Sequence, residues 1–342
     1  MNKGDKRRSR RKFRVRYDRI VILALVVVAI IVILTSCIKG IFKSGDETDE
    51  GSDTSTSSSI PEQPTDPDEQ PTDDVSSPEK ENDAIDSTGL INVPYEHDDI
   101  YKGDLVLVNA DYEYKFPEDD IALVTLFDNR NSYYDNGDFV TKLDGTVVGK
   151  LNQMMADFAE ANSLSTTDIF IIDGYRTYDE QVERHSSGKS KTFEAGHSDY
   201  HTGRTFDMFR MGADGLPSYF AAEGDCAWFA ENAARYGFIV RYPEGKEEAT
   251  GEKPRAYTYR YVGVPHAVYM RDNGLCLEEY ISELKKHTKD DPLAAAADGT
   301  TYIMYYVPAA ENGATEVPVP DDKQYTVSGN NADGFIVTAV NN

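Results

Sequence analysis

The feature that most constrains this chain is an unbroken apolar run near its start, Ile20–Leu34. Four further residues, ending at Ile38, extend the run to 19 residues. At about 1.5 Å of rise per residue, a helix of this length nearly spans the ~30 Å hydrocarbon core of a bilayer. The sequence therefore predicts a transmembrane helix over residues 20–38.

A basic arm precedes this run. Residues 1–19 contain ten Lys or Arg and two Asp, so the arm carries a charge of +8. Positive flanks mark the cytoplasmic end of a membrane helix, so we expect a single-pass protein of the cell membrane with an extracytoplasmic body. A cleaved signal peptide is an alternative. Leu34–Cys37 also resembles a bacterial lipobox, which would leave Cys37 lipidated. The length of the run favours an uncleaved anchor.

The rest of the chain is acidic. The whole sequence has a net charge of -25, so the residues after the arm carry -33. Such an exterior argues against nucleic acid as a partner, because nucleic-acid binding requires a basic face. Residues 39–90 are rich in Ser, Thr, Pro, Asp and Glu and contain almost no large apolar side chains. Burial in such a segment cannot offset its chain entropy, which predicts a disordered linker.

A folded body is expected over residues 91–288, where helical and strand-like apolar patterns alternate. Helices are predicted at Thr146–Asn162, Thr177–His185, Tyr219–Tyr236 and Leu277–Lys286. Strands are predicted at Leu105–Val108, Asp168–Ile172, Phe238–Val240 and Tyr259–Val262. This mixed order predicts an α+β domain. Residues 289–342 contain short strand-like runs between turn residues, which predict a small β appendage. Cys226 and Cys276 are expected to be separate buried thiols, although a bridge between them stays open.

The segment Ala195–Asp207, which reads AGHSDYHTGRTFD, resembles a known metal-binding motif. The motif is Ser-x-His-x-x-Gly-x-Ala-x-Asp of the VanY-type D-alanyl-D-alanine carboxypeptidases, a family of zinc peptidases. Ser198, Gly203 and Asp207 fall on the family's positions without a gap. Four further segments match in the same order, at 173–181, 236–246, 259–263 and 277–280, and ordered matches are more specific than one motif. The resemblance covers residues 102–286 and implies a hedgehog/D-Ala-D-Ala-peptidase-like domain with a central antiparallel sheet.

The resemblance also implies a chemistry. In the family, two His and one Asp hold zinc, a water takes the open position, and a Glu acts as general base. In this chain Tyr200 stands at the first zinc histidine, Arg255 at the general base and Thr258 at the second zinc histidine, so only Asp207 is retained. A guanidinium stays protonated and cannot act as a base. Zinc is the family's cofactor, but we expect no cofactor in this chain.

A displaced histidine could restore the site only if the register shifted. His201 lies one residue after Tyr200, but the ungapped matches on both sides of it give no support to a shift. His197 and His201 are four residues apart, which suits metal binding on a helix. The glycines around them favour loop and strand instead. These histidines are therefore expected to be hydrogen-bonded structural residues.

Other residues of the cleft match the family. By resemblance, Arg176 and Gln181 line the substrate cleft, and Ser198 contacts substrate or stabilises the loop. Arg176 could instead form an ion pair with Asp207, and Arg255 could take the same role. Tyr200 and Thr258 are expected to fill the volume of the metal and to hydrogen-bond each other.

Three functions stay open on the sequence alone. The first is a pseudopeptidase that binds a peptidoglycan stem peptide or an envelope protein. The second is an active zinc D,D-carboxypeptidase whose ligands lie elsewhere. The third is a structural or adhesive envelope protein that works through the β appendage. Metal content separates the first two, and binding of wall fragments separates the first from the third.

Overall fold

A six-stranded sheet lies at the centre of the fold and carries the strands of the candidate site. The computed structural model describes residues 89–188, 193–212 and 214–341. The strands are β1 (Leu90–Tyr95), β2 (Leu123–Thr125), β3 (Asp135–Asn136), β4 (Lys142–Asp144), β5 (Ile169–Asp173), β6 (Thr205–Met211), β7 (Pro217–Tyr219), β8 (Phe238–Tyr242), β9 (Arg255–Tyr261), β10 (Leu293–Ala297), β11 (Thr300–Pro308), β12 (Thr315–Pro320), β13 (Tyr325–Gly329) and β14 (Gly334–Val340). The α-helices are α1 (Leu126–Asn129), α2 (Gly145–Ala161), α3 (Tyr178–Ser186), α4 (Ala227–Asn232), α5 (Glu247–Thr250), α6 (Val264–Asn273) and α7 (Leu277–Leu284). Short 3-10 helices lie at His97–Tyr101, Asp199–Thr202, Gly224–Cys226 and Ala233–Tyr236.

The central sheet is almost wholly antiparallel. Its strands run in the order β3-β5-β6-β9-β8, and β7 pairs with β6 at its edge. Among the described strands of this sheet, only β3 and β5 run parallel. The remaining strands form one four-stranded sheet, β10-β11-β14-β13, and two two-stranded sheets, β1-β12 and β2-β4. The predicted α+β class with a central antiparallel sheet is confirmed, with one parallel pair added.

Helix α2 covers one face of the central sheet. The Asp144 side chain accepts a hydrogen bond from the backbone N–H of Thr146 and so satisfies one free donor at the helix start. The predicted apolar stripe is buried, with Val147, Leu151, Met154, Met155 and Phe158 along it. The stripe shares one core cluster with Phe206 and Met208 of β6. Because side chains alternate across a strand, residue 207 points to the opposite face, and the site lies there.

The predicted strand at Leu105–Val108 is wrong, although all four of its side chains are buried. The segment belongs to no strand of the structure. Its backbone is bonded by other means, because Leu105 N–H donates to Ser328 Oγ at 2.9 Å and Arg260 Nη2 donates to the carbonyl of Val106 at 3.0 Å. A buried arginine thus supplies hydrogen bonds that a neighbouring strand would otherwise make.

The single helix predicted over Tyr219–Tyr236 is also wrong. Tyr219 ends strand β7, where it pairs with Phe209 of β6. Gly224 then adopts a positive φ of 60°, which a continuous helix does not permit. Only Ala227–Asn232 is α-helical, and the segment closes at Gly237 with a φ of 90°.

The C-terminal runs form strands β11 to β14, as predicted, but they do not pack by themselves. Strand β12 pairs with β1 over six residues, Leu90–Tyr95 against Thr315–Pro320. Met304 and Ile336 share a core cluster with Leu277 of α7. All described residues fall in one compact unit. The boundary after residue 288 stays a prediction.

Several N-terminal predictions concern residues outside the described part. The basic arm, the transmembrane helix over 20–38 and the linker up to residue 88 all lie there. Between residues 89 and 341, no described helix has the length and apolar character needed to cross a bilayer. Cys226 and Cys276 are both free and buried, which agrees with two separate thiols.

Candidate functional site

Two neighbouring strands and a short helix bring the site residues together. Asp207 of β6 and Thr258 of β9 are direct partners in the antiparallel register. Tyr200 comes from the 3-10 helix Asp199–Thr202, which ends at Gly203 with a left-handed φ of 66°. A side chain at Gly203 would be strained there, and the glycine lets the chain turn directly into β6. The structure therefore places Tyr200, and not His201, against Asp207, as the ungapped register predicts.

Both hydroxyls of this group donate to one carboxylate oxygen. Tyr200 Oη lies 2.6 Å and Thr258 Oγ1 lies 2.7 Å from Asp207 Oδ1. The expectation that the two hydroxyls bond to each other is wrong, because the carboxylate is the stronger acceptor and lies between them. Burial raises the pKa of Asp207 to about 6, although the two hydroxyl hydrogen bonds act to lower it. Burial also raises the pKa of Tyr200 well above its usual value, so this phenol stays protonated.

Arg176 pairs with Asp173 and not with Asp207. Its Nε donates to Asp173 Oδ1 at 3.2 Å, and its Nη2 also bonds to the same carboxylate. The guanidinium lies over the Tyr200 ring, 3.8 Å from its centroid, which is a cation–π contact. Asp173 sits opposite Asp207 in the register of β5 and β6. Arg176 therefore places positive charge beside two facing carboxylates, but its direct bonds go to Asp173.

Arg255, which the resemblance assigns to the general-base position, forms its ion pair with a carboxylate other than Asp207. It pairs with Glu252 at 2.8 Å. Its guanidinium lies over the rings of Phe193, at 4.7 Å, and Tyr242, at 5.2 Å. The expected alternative pair between Arg255 and Asp207 is therefore wrong, because Glu252 is three residues away on the same stretch of chain. The position carries a group that donates hydrogen bonds and cannot accept a proton.

Gln181 and Ser198 are both fully buried. Gln181 Nε2 donates to the carbonyl of Phe193 at 2.7 Å, and its Oε1 accepts from Arg176 at 3.2 Å. Gln181 thus positions Arg176 and the backbone at Phe193. The Ser198 hydroxyl has no hydrogen-bond partner within the part of the chain that the structure describes. In this conformation neither side chain is exposed to solvent in the cleft.

The histidines of the motif hold the loop. His201 is fully buried, its Nδ1 bonds to the carbonyl of Arg176 at 2.6 Å, and its Nε2 accepts from Gly196 N–H at 3.1 Å. His197 Nδ1 bonds to the carbonyl of Asn109 at 2.8 Å. Both ring nitrogens of His201 are therefore used for structure, which agrees with the role expected from the sequence.

The residues that the resemblance assigns to the metal positions, Tyr200, Asp207 and Thr258, do not fit zinc. Catalytic zinc takes about three protein ligands, drawn from imidazole nitrogen, thiolate and carboxylate. Here one carboxylate is present, and the two other positions carry hydroxyls whose protons are engaged on that carboxylate. Over residues 89–188, 193–212 and 214–341, no three His, Cys, Asp or Glu side chains lie close enough to hold a metal ion.

Several residues of this site were missed from the sequence. Asp173, the partner of Arg176, ends strand β5, and the two residues do not share a helix, so no local spacing rule pairs them. Phe193, Tyr242 and Glu252 surround Arg255 but come from three separate segments. No local pattern points to that arrangement, because it depends on tertiary packing.

The buried histidines predict a pH dependence of stability. Burial lowers the pKa of His201 to about 4 and that of His266 to about 3. An unfolded histidine titrates near about 6.5, so from that pH downward the unfolded chain binds more protons and stability falls. The unfolding free energy lost through His201 stops increasing below about pH 4, where this histidine is protonated in the folded state as well. Between pH 7 and pH 5 each histidine is expected to cost about 1–2 kcal/mol of unfolding free energy.

Urea unfolding at pH 5 and pH 7 measures this loss, and each variant is compared with the unmodified protein. His201→Gln should remove part of the difference between the two pH values. His185→Gln, at an exposed residue of α3, is the control and should leave it unchanged. Equal pH dependence in the unmodified protein and in His201→Gln would contradict the prediction.

Comparisons with known proteins agree with this architecture. The family model described as VanY: D-alanyl-D-alanine carboxypeptidase matches residues 141–264, which include every site residue from Arg176 to Thr258. A D-alanyl-D-alanine carboxypeptidase of Enterococcus faecium is 33% identical over 242 residues, which cover 70% of this chain and 76% of that protein. The putative carboxypeptidase YodJ of Bacillus subtilis (strain 168) is 36% identical over 129 residues, 35% of this chain and 47% of that protein.

A solved structure shares the fold over most of the chain. The vancomycin resistance D,D-dipeptidase VanXYg, in complex with a D-Ala-D-Ala phosphinate analogue, aligns with a TM-score of 0.62 and 28% sequence identity. The alignment covers 74% of this chain and 99% of that chain. The similarity therefore extends beyond the residues that the family model matches.

Proposed function

The chain belongs to the D-alanyl-D-alanine carboxypeptidase family, and we propose that it binds peptidoglycan stem peptides without hydrolysing them. The observation that carries the proposal is the double hydrogen bond to Asp207 Oδ1, from Tyr200 at 2.6 Å and Thr258 at 2.7 Å. These hydroxyls occupy the positions of the zinc histidines. Arg255 occupies the position of the general base, so neither metal activation of water nor proton abstraction has a group to perform it.

A cavity beside the site supports retained binding. It has a volume of about 310 Å³ and is lined by Phe193, Tyr242 and Glu252, the side chains that contact Arg255, but Arg255 itself is not among the lining residues. This volume lies at the lower end of the range for small-ligand pockets. The related VanXYg is known in complex with a D-Ala-D-Ala analogue, which supports the same class of ligand here.

Titration of the purified protein with a pentapeptide that ends in D-Ala-D-Ala tests the proposal. We expect saturable binding by calorimetry and no release of D-alanine, with or without added zinc. Arg255→Ala should weaken binding about tenfold, because the guanidinium holds Glu252 and packs on Phe193 and Tyr242, which line the cavity, and a hydrogen bond to a charged group contributes about 1.5–3 kcal/mol. Arg235→Ala is the matched control, because this arginine is about half exposed and pairs with Asp298.

Two outcomes would replace the proposal. Catalytic release of D-alanine would favour the active carboxypeptidase. Absence of binding to the pentapeptide and to longer wall fragments would favour a structural or adhesive envelope protein.

We also propose that the chain is anchored in the cell membrane with its body outside. The 19-residue apolar run behind a basic arm supports this placement. Protease added to intact cells should release a fragment that contains the carboxypeptidase-like domain and leave the arm inside. Recovery of the whole chain in the soluble cytoplasmic fraction would contradict it.

A further inference from the structure

The face of β6 that carries Asp207 continues into an exposed aromatic surface. Alternate residues of a strand share one face, so Asp207 and Phe209 point the same way. Their Cα atoms are about 7 Å apart, at two steps of about 3.4 Å. Phe209 is the direct cross-strand partner of Tyr219 in β7. The floor of the site therefore extends without interruption to the hairpin of β6 and β7.

Three rings form this surface, which we call the aromatic platform: Phe209, Tyr219 and Tyr257. The rings of Tyr219 and Tyr257 stack with centroids 4.2 Å apart and planes inclined by 27°. Phe209 lies 4.6 Å from Tyr219 and 6.2 Å from Tyr257. Tyr257 directly precedes Thr258 in β9, and Thr258 Oγ1 lies 2.7 Å from Asp207 Oδ1, so this ring lies close to the site.

The outer ring of the platform is open to solvent. Tyr219 is 62% exposed, and Met211 and Leu216 on the same hairpin are 42% and 52% exposed. A single exposed aromatic side chain is ordinary, but an apolar cluster stacked on a partly buried ring indicates a contact surface. The neighbouring Arg210 is held by Asp168 at 2.7 Å and Asp225 at 3.0 Å. Its charge is therefore neutralised locally, which suits an uncharged ligand.

A sugar ring has the matching chemistry. A pyranose presents C–H groups on one face and hydroxyls around its rim, and an aromatic face attracts C–H groups through its negative quadrupole. The hydroxyls of Tyr219 and Tyr257 offer hydrogen bonds at the edge of the stack. A flat peptide or protein partner would not need a single exposed ring face beside the cleft.

The position also fits the covalent structure of peptidoglycan, in which each stem peptide is amide-linked to an amino sugar of the glycan strand. Three extended residues span about 10 Å. The platform begins about 7 Å from Asp207, two strand steps along β6. We propose that the aromatic platform binds a pyranose ring of the glycan strand while the attached stem peptide lies in the cleft. This inference rests on the proposed function and names a second part of its ligand.

The test compares two probes, a stem pentapeptide and the same pentapeptide linked to N-acetylmuramic acid. Calorimetry with the full chain in detergent gives both dissociation constants. The sugar is expected to strengthen binding roughly tenfold in the unmodified protein. Tyr219→Ala should abolish this gain and leave the affinity for the sugar-free peptide within about twofold. Tyr219→Phe keeps the ring and should retain most of the gain. Tyr325→Ala, at an exposed tyrosine of β13, is the matched control and should retain all of it.

The outcomes separate the two proposals. Equal affinity for both probes, or a gain that survives Tyr219→Ala, overturns the sugar site and leaves peptide binding intact. A loss of affinity for the sugar-free peptide in Tyr219→Ala also overturns it, because the platform would then hold the peptide. If neither probe binds the unmodified protein, the proposed function and this inference are both contradicted.

Discussion

The purified protein is expected to contain no stoichiometric zinc, and the triple variant Tyr200→His, Arg255→Glu and Thr258→His is expected to bind one zinc ion per chain. The substitutions restore two imidazoles beside Asp207, which gives the three protein ligands that catalytic zinc requires. The Cα positions already suit the change, since Asp207 and Thr258 face each other in the register and Tyr200 reaches the same oxygen. Metal analysis after dialysis measures the zinc content of the unmodified protein and of the triple variant.

Single substitutions should have little effect on zinc binding, because the ligands act as a set. Adding Asp207→Ala to the triple variant is the control and should remove the zinc again. Thermal unfolding of each variant checks that the fold is retained. One equivalent of zinc in the unmodified protein, lost on His201→Ala, would contradict the prediction. It would favour the active zinc D,D-carboxypeptidase whose ligands lie elsewhere.

The register of the site could be predicted from the sequence because it depends on spacing within short segments. Ser198, Gly203 and Asp207 match the motif without a gap. The alignment therefore fixes Tyr200, between Ser198 and Gly203, at the position of the first zinc histidine. The buried stripe of α2 could be predicted for a similar reason, since its periodicity is local. Both features rest on contacts between residues close together in the chain.

The ion pairs of the site could not be predicted in the same way. The sequence suggested Asp207 as the partner of Arg176, whereas the structure pairs Arg176 with Asp173, because the choice depends on side-chain geometry that spacing does not show. The segment Leu105–Val108 has the composition of a buried strand, but side chains that are distant in the sequence bond to its carbonyls: Arg260 donates to Val106, Asn331 to Leu107 and Arg241 to Val108. Local composition cannot reveal a partner at that distance, so a strand was the wrong interpretation of a correctly identified buried segment.

Substitution of Asp199 by alanine is expected to cost about 3–5 kcal/mol of unfolding free energy. Asp199 is fully buried and lies 2.7 Å from Arg260 Nη1 and 3.3 Å from Arg241 Nε. Both arginines are fully buried as well. Arg241 also pairs with Glu278 at 2.7 Å, so removal of the Asp199 carboxylate leaves Arg260 as the buried charge without a carboxylate partner within the described residues. Burial alone would raise the pKa of Asp199, but Arg260 and Arg241 outweigh it and lower the pKa. The carboxylate is therefore charged and stabilising at neutral pH.

Urea unfolding at pH 7 measures the loss, with Asp168→Ala as the matched control. Asp168 pairs with Arg210 at 2.7 Å, but its side chain is 41% exposed, so its loss should cost less than about 1 kcal/mol. Asp199→Asn keeps the shape and can be measured if the alanine variant does not fold. Equal losses in the Asp199 and Asp168 variants would contradict the prediction.

Asp199 directly precedes Tyr200, so this buried network holds the short helix that places Tyr200 on Asp207. A large cost at Asp199, together with retained stability in the triple variant, would mean that the scaffold of the site persists independently of its hydrolytic chemistry.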